Sequence, residues 1–383
     1  MKFRNKWNGW ALSLTLALVA YHLMVLTMGA FPRFSELWNR EEFQLRIPGQ
    51  KALKLWLWTT TDSALNVDSF GEFNRRWLGM PLNILNYQMG LTPPWMFQGA
   101  TQPKAWYFWD LDLPSQSPEM IERVYRKYQP GQHLHPNQFR TQKMEWITVP
   151  VPTKSAVERQ FLPPGWAEKT SSGVDVYRQI LSADPQGTVD LLGAYAEYKK
   201  EHPDALLYRP LDIHWTSLGM AIAAKETVRT LAELGWEVRV PELRKVRTIP
   251  KAHTQMDLFF LRRLFLPDFF VQSRSELEWT EEVYDIDMEA EPVHERLILF
   301  GSSFSLDPAA GKEFQFGFGN RLARALGREL ILFAYPGQDF VDAMRKAAES
   351  GFTFRPGDLV VVEYPLWQVE WVWKKSRLFP GFN

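Results

Sequence analysis

The stretch Arg296-Leu-Ile-Leu-Phe-Gly301 is apolar between its first residue and the glycine that ends it. Two similar runs follow, at residues 329–334 and 359–363. Residues 318–326 and 339–350, which lie between these runs, have the apolar spacing of helices. Strands that are apolar along most of their length are typical of a parallel sheet covered by helices. The stretch therefore predicts an α/β fold, whose functional residues follow the carboxyl ends of the strands.

A serine-rich turn follows the first of these predicted strands, in the order Gly301-Ser302-Ser303-Phe304-Ser305. A serine on a tight turn after a parallel strand is exposed at the carboxyl edge of the sheet. Gly301 would permit such a turn, and nearby backbone N–H groups could stabilise a developing oxyanion. Because a serine hydroxyl is a weak nucleophile that needs a base, the turn alone does not predict catalysis.

The pair Asp212-x-His214 contains a base and a group that could orient it. The carboxylate can select the tautomer of the imidazole, and the imidazole can take the proton of a serine. Trp215 could pack against the imidazole and shield it. An isolated histidine is more often a buried residue with satisfied hydrogen bonds. The serine turn in the same α/β frame favours the catalytic interpretation.

Three short blocks resemble the alginate O-acetyltransferases (AlgJ/AlgX-like), a family with an SGNH hydrolase-like fold. The blocks are Asp212-x-His-Trp-Thr216, Gly301-x-Ser-Phe-Ser305 and, after the last apolar run, Glu363-x-Pro365. The resemblance begins near residue 175 and extends towards the end of the chain. It implies an SGNH-like parallel sheet flanked by helices. The sequence contains no Gly-x-Gly-x-x-Gly motif and no phosphate loop, so no metal or other cofactor is predicted.

The resemblance also implies the roles of individual residues. Ser303 would be the nucleophile, His214 the base and Asp212 its partner. Five further candidates for contact with the substrate or the oxyanion come from the same blocks or from the end of the next strand: Gly301, Trp215, Tyr335, Gln338 and Glu363.

The reaction implied by the resemblance is acetyl transfer through an acetyl-serine to a hydroxyl of a polysaccharide or other glycan. The acetyl donor would be delivered by a multi-pass membrane acyltransferase. Two alternatives remain open on the sequence. The same residues with water as the acceptor would make a carbohydrate acetylesterase. A protein that kept only the fold would be a non-catalytic, glycan-binding scaffold of a membrane assembly.

The first segment of the chain has the pattern of a membrane anchor. Residues 7–32 contain no Asp, Glu, Lys or Arg, and Lys2, Arg4 and Lys6 precede them. As a helix this segment would be roughly 39 Å long, enough to cross a bilayer. The basic flank predicts a cytoplasmic N-terminus and a single-pass anchor in the inner membrane, with the catalytic domain in the periplasm or outside the cell. A cleaved signal peptide is the alternative.

Composition excludes several other classes. The chain has 383 residues, no cysteine, and 44 basic and 44 acidic residues. The absence of cysteine excludes disulfides, thiol catalysis and thiolate zinc sites. The zero net charge argues against nucleic acid as the partner. The predicted organisation is an anchor at residues 1–34, a smaller β-containing region at 35–170 and the SGNH-like domain at 171–383.

Overall fold

A computed structural model of the chain describes residues 96–99, 105–109, 145–163, 166, 171–183, 187–250, 271, 274–287, 290–306, 317–335 and 338–368. The chain divides into two compact units, Met1–Phe97 with Phe260–Arg274, and Gln98–Phe259 with Ser275–Asn383. Nearly all the described residues belong to the second unit, which contains the predicted catalytic residues.

The described strands are β1 (Met96–Gln98), β2 (Tyr107–Trp109), β3 (Glu145–Val151), β4 (Leu243–Ile249), β5 (Glu281–Ile286), β6 (Arg296–Gly301), β7 (Glu329–Ala334) and β8 (Leu359–Pro365). The helices are α1 (Lys154–Val157), α2 (Ser171–Ala183), α3 (Leu191–Glu201), α4 (Ser217–Glu233), α5 (Phe318–Leu326) and α6 (Phe340–Glu349). Two short 3₁₀ turns occupy Arg159–Phe161 and Ser275–Leu277.

Four of the strands form one parallel sheet in the order β3-β8-β6-β7. The three apolar runs predicted as strands are β6, β7 and β8, and β6 lies between the other two. Its residue Phe300 pairs with Val362 of β8 and with Phe333 of β7. The predicted α/β fold with a parallel sheet is therefore confirmed. Its carboxyl edge is the edge at which Gly301 ends β6.

Strand β3 corrects one predicted boundary. It pairs with β8 along its whole length, from Glu145 opposite Leu359 to Val151 opposite Pro365. Because this strand belongs to the main sheet, the sheet begins before residue 171, where the sequence analysis placed the start of the SGNH-like domain. Apart from that boundary the three-part division stays a prediction, since residues 1–95 lie outside the described part of the chain.

Helices cover both faces of this sheet. On one face, α2 and α6 pack against Ile298, Phe300, Val360 and Val362 in a continuous apolar core. On the other face, α5 approaches so closely that a Cβ added to its Gly319 would lie 2.6 Å from a methyl group of Leu299 on β6, and α4 packs beside α5. The sheet is thus apolar on both faces, which explains why its strands read as nearly continuous apolar runs.

The chain before α4 leads directly into the predicted site. Thr216 caps this helix, because its side chain accepts a hydrogen bond from the N–H of Gly219. His214 and Asp212 are therefore fixed just before the first turn of a helix whose own residues are mostly buried.

The predicted membrane segment, residues 7–32, lies outside the described residues. Within the described ranges, no helix combines the length and the apolar character needed to cross a bilayer.

Candidate active site

A tight hairpin carries Asp212 and His214. Tyr208 and Trp215 form an isolated antiparallel bridge, and the N–H of Arg209 donates to the carbonyl of His214 at 3.1 Å. One residue outside the Tyr208–Trp215 bridge on each side, the N–H of Thr216 donates to the carbonyl of Leu207 at 2.8 Å. We call residues 207–216 the catalytic loop.

The three predicted catalytic side chains meet at the carboxyl edge of the sheet. His214 Nε2 lies 2.9 Å from Ser303 Oγ. On the other side of the ring, Nδ1 forms a short hydrogen bond with Asp212 Oδ1, which also accepts the backbone N–H of His214 at 2.8 Å. Asp212 and His214 are buried, while Ser303 is half-buried. With Nδ1–H donating to the carboxylate, Nε2 is left to accept the serine proton.

The nucleophile turn, residues 302–306, consists of two successive hydrogen-bonded turns. The N–H of Ser305 donates to the carbonyl of Ser302 at 3.1 Å, and that of Leu306 donates to the carbonyl of Ser303 at 3.3 Å. Among the residues that the structure describes, the N–H of Ser303 itself has no hydrogen-bond acceptor. This N–H is available to an oxyanion that forms beside Ser303 Oγ.

Glu363 lies under the nucleophile turn and is fully buried. Its carboxylate accepts hydrogen bonds from the N–H of Ser302 at 2.9 Å, from Ser302 Oγ at 3.0 Å and from Ser305 Oγ at 2.7 Å. Ser302 Oγ in turn accepts the N–H of Phe304 at 3.1 Å. Contact with substrate was the expectation for Glu363. The structure corrects it, because the carboxylate is enclosed and shapes the turn from below.

Burial raises the pKa of Glu363, and the hydrogen bonds from Ser302 and Ser305 lower it only in part. Since the pKa is higher in the folded than in the unfolded chain, the contribution of this carboxyl to stability is full below its unfolded pKa and declines as the pH rises through its folded pKa. We therefore predict that the melting temperature of the parent minus that of Glu363→Gln falls as the pH rises above the ordinary pKa of a glutamate, about 4.3.

Glu242 provides a control of opposite sign. A hydrogen bond from Lys225 lowers the pKa of this exposed carboxyl, so its contribution is present above its unfolded pKa and is lost as the pH falls. For Glu242→Gln the same difference should rise slightly with pH. A parent-minus-variant difference for Glu363→Gln that does not change with pH would contradict the assignment.

Gly301 is required for space and not for backbone conformation. It is absent from the described glycines with positive φ, which are Gly235, Gly327, Gly351 and Gly357. A Cβ at position 301 would overlap Ser305 Oγ and would lie 2.8 Å from Glu363 Oε2. Gly301 therefore permits the turn by leaving space for Ser305 Oγ, and not through the backbone freedom of glycine. The glycine lets the Ser305–Glu363 hydrogen bond pass directly over the end of β6.

Substitution Gly301→Ala should lower the free energy of unfolding by about 1–3 kcal/mol, the usual range for overpacking a buried site. Urea denaturation followed by circular dichroism measures this loss. Adding Ser305→Ala should recover part of it, because Ser305 Oγ is the atom nearest to the new methyl group. A Gly301→Ala variant as stable as the parent would contradict the predicted overlap between the added methyl group and Ser305 Oγ.

The role predicted for Trp215, shielding of the His214 imidazole, belongs to Phe304, whereas Trp215 supports the nucleophile turn. Trp215 is fully buried and donates its Nε1–H to the carbonyl of Phe304 at 2.9 Å, so it supports the nucleophile turn from inside the domain. The ring of Phe304 packs against the imidazole of His214, with centroids 4.7 Å apart. The shielding ring is thus Phe304. Its place in the Gly-x-Ser-Phe-Ser block was the available signal for this role.

Tyr335 and Gln338 follow β7 as predicted, but no described hydrogen bond or ring contact joins either of them to Ser303 or His214. The ring of Tyr335 packs against the apolar core beside α6, with Lys346 Nζ 4.0 Å from its centroid. The backbone carbonyl of Gln338 accepts a hydrogen bond from Gln368 at 3.2 Å. A contact of either residue with substrate stays a prediction.

The fold and the site together define a class of protein. A parallel α/β sheet with a hydrogen-bonded serine, histidine and aspartate at its carboxyl edge is an arrangement suited to acyl transfer or ester hydrolysis. Within the described residues, no three acidic or histidine side chains are grouped as metal ligands.

Comparison with known proteins agrees with this class. The family model for the SGNH hydrolase-like domain of acetyltransferase AlgX matches residues 133–366. The O-acetyltransferase domain of Pseudomonas putida AlgJ superimposes with a TM-score of 0.50 and 18% identity, over 74% of this chain and 100% of that domain. Pseudomonas aeruginosa AlgX gives 0.45 and 19%, over 80% of this chain and 66% of AlgX. A comparison with curated protein sequences finds no match.

Since the matched region is more than half of the chain, the protein belongs to the family of SGNH hydrolase-like domains of AlgX-type acetyltransferases. The family that the three sequence blocks predicted is thereby confirmed.

Proposed function

We propose that the protein is an O-acetyltransferase that moves an acetyl group through an acetyl-serine at Ser303 to a hydroxyl of an alginate-like polysaccharide. The observation that carries the proposal is the 2.9 Å contact of His214 Nε2 with Ser303 Oγ, with Asp212 on the opposite side of the ring. Membership of an acetyltransferase family supports the choice of acyl group.

In the first half of the reaction, Ser303 Oγ attacks the carbonyl carbon of the acetyl donor while His214 Nε2 takes the hydroxyl proton. The carbonyl oxygen becomes an oxyanion that the N–H of Ser303 can stabilise. Collapse of this intermediate breaks the bond to the donor oxygen, which leaves with the proton from His214. The acetyl group is then an ester on Ser303, and the imidazole is again neutral.

In the second half, a sugar hydroxyl gives its proton to His214 Nε2 and attacks the acetyl-serine carbonyl. The second tetrahedral intermediate expels Ser303 Oγ, which takes the proton back from the imidazolium. Asp212 stabilises the imidazolium in both halves. Phe304, packed on the imidazole, reduces the contact of that ring with water.

The setting of the reaction is part of the proposal. Residues 7–32 would anchor the chain in the inner membrane with the catalytic domain in the periplasm or outside the cell. A multi-pass membrane acyltransferase would bring the acetyl group across the bilayer. The length and the basic flank of that segment support this placement.

The test uses the full chain with a chromogenic acetyl ester as donor, with and without alginate as acceptor. We expect acetate release, an acetyl adduct of Ser303 detected by mass spectrometry, and acetyl groups on the polysaccharide when it is present. Release of acetate that leaves the polysaccharide unmodified would favour the carbohydrate acetylesterase. No adduct and no release would favour the non-catalytic scaffold and would overturn the proposal.

A further inference from the structure

Lys154 is buried in the segment just after β3, and its ammonium is surrounded by backbone carbonyl oxygens. Four acceptors in the described part of the chain are the carbonyls of Tyr107 at 2.6 Å, Arg209 at 2.7 Å, Pro210 at 2.9 Å and Asp212 at 3.0 Å. Three of these carbonyls belong to the catalytic loop, and one of them is the carbonyl of the aspartate that orients His214.

Glu158 lies one helical turn after Lys154 and contacts the first two residues of the catalytic loop, Leu207 and Tyr208. Its Oε1 accepts the N–H of Leu207 at 2.8 Å and that of Tyr208 at 3.1 Å. Its Oε2 accepts a hydrogen bond from Gln160 at 3.1 Å and forms a short ion pair with Lys199 of α3. The carboxylate is fully buried. The lysine therefore binds carbonyl groups of the catalytic loop, and the glutamate binds its N–H groups.

The buried charges of Lys154 and Glu158 depend on hydrogen bonds to the backbone of the catalytic loop. A buried ammonium is tolerated only where hydrogen-bond acceptors replace its water. Here backbone carbonyls do so, and the rings of Trp106 and Phe108 lie 5.0 and 5.1 Å from Lys154 Nζ. Reorienting the backbone between Arg209 and Asp212 would remove acceptors from a charge that water cannot reach. The hydrogen bonds to Lys154 therefore favour the orientation in which these carbonyls face the ammonium.

We propose that Lys154 and Glu158 are positioning residues for the catalytic loop, and that they hold Asp212 at the orientation in which it directs His214 Nε2 to Ser303. The inference rests on the proposed function for its catalytic meaning. Neither side chain is among the acceptors or donors of the reacting atoms, so they act through the backbone of the loop.

The main test is Lys154→Met, which removes the charge and the hydrogen bonds at similar length. The matched control is Arg296→Met, because Arg296 is also a buried cation, bound to Asp358 at 2.9 and 2.6 Å, at the opposite end of β6 from Ser303. Both variants should have lower melting temperatures. Well below those temperatures, Lys154→Met should lose about 10²-fold in kcat with KM nearly unchanged, while Arg296→Met keeps the kcat of the parent.

Amide hydrogen exchange in residues 207–216 gives a readout that does not depend on activity. Exchange there should rise at least about tenfold in Lys154→Met and should stay at the parent rate in Arg296→Met. Glu158→Gln retains the shape of the side chain and serves where Lys154→Met does not fold. It should show a smaller change in both kcat and exchange in the same direction.

The outcomes separate the two proposals. An inactive parent overturns the proposed function, and exchange in the catalytic loop then decides whether Lys154 and Glu158 hold it. An active parent whose Lys154→Met and Glu158→Gln variants keep parent kcat and parent exchange overturns the positioning role. Equal losses of kcat in Lys154→Met and Arg296→Met would assign the effect to general stability and would also overturn it.

Discussion

Replacement of Ser303 by alanine should abolish acetate release and remove the acetyl adduct from the chain. Ser303 Oγ is the atom that lies 2.9 Å from His214 Nε2, and alanine leaves the imidazole with no proton to accept. Loss of a catalytic serine, which acts together with its histidine, lowers kcat by about 10⁴-fold or more. Acetate release is measured with a donor ester, and the acetyl adduct is measured by mass spectrometry of the quenched reaction. The melting temperature should change little, because Ser303 is half-buried and its side chain is small.

The control for this variant is Ser182→Ala. Ser182 is an exposed serine on α2 whose hydroxyl donates only to the carbonyl one turn earlier, at 2.9 Å from Arg178 O. It should keep parent activity and the parent adduct at Ser303. An acetyl adduct that persists in Ser303→Ala, at this turn or elsewhere, would contradict the assignment of the nucleophile.

The second large effect is expected for Asp212→Asn. Asp212 Oδ1 accepts both the ring Nδ1–H and the backbone N–H of His214. An asparagine can keep the backbone bond, but it no longer carries the charge that stabilises the imidazolium. Its amide N–H can also select the wrong tautomer of the ring. We expect kcat to fall on the order of 10²- to 10⁴-fold while KM changes little.

A matched change for Asp212→Asn is Asp358→Asn, which also removes the charge of a buried aspartate, but at the amino end of β8 beside Arg296. It should lower the melting temperature and leave kcat unchanged at temperatures well below it. If Asp212→Asn retained parent kcat, the hydrogen bond between Asp212 and His214 would be structural only, and the proposed role of Asp212 in stabilising the imidazolium would be wrong.

The apolar runs predicted the strands well because their signal is local. Residues 297–300 and 359–362 are buried between helices on both faces of the sheet, and residues 330–333 of the edge strand β7 are partly buried. Positions of this kind favour apolar side chains. Strand β3 was placed in the wrong domain because pairing between β3 and β8 joins segments about two hundred residues apart, a distance over which no local pattern operates.

The catalytic set was found from short motifs, whereas the residues that support it were not. A serine turn and an Asp-x-His pair combine residue types that rarely serve packing. Lys154 and Glu158 belong to no recognisable motif, and the burial of a charge depends on partners elsewhere in the chain. Glu363 was found for its motif, but its place beneath the turn follows only from the contacts of Ser302 and Ser305.

The amino-acid sequence was sufficient to predict the parallel α/β class, because apolar periodicity is a property of neighbouring residues. Its short motifs were sufficient to indicate the family and the three residues proposed for catalysis, because they resemble those of a known family. The tertiary structure alone decided that His214 meets Ser303 across 89 positions of the chain. It also decided that an ammonium at Lys154 reaches the carbonyl of Asp212 across 58 positions. Such contacts depend on the closure of long segments and on the removal of water around charges, and both are properties of the folded chain as a whole.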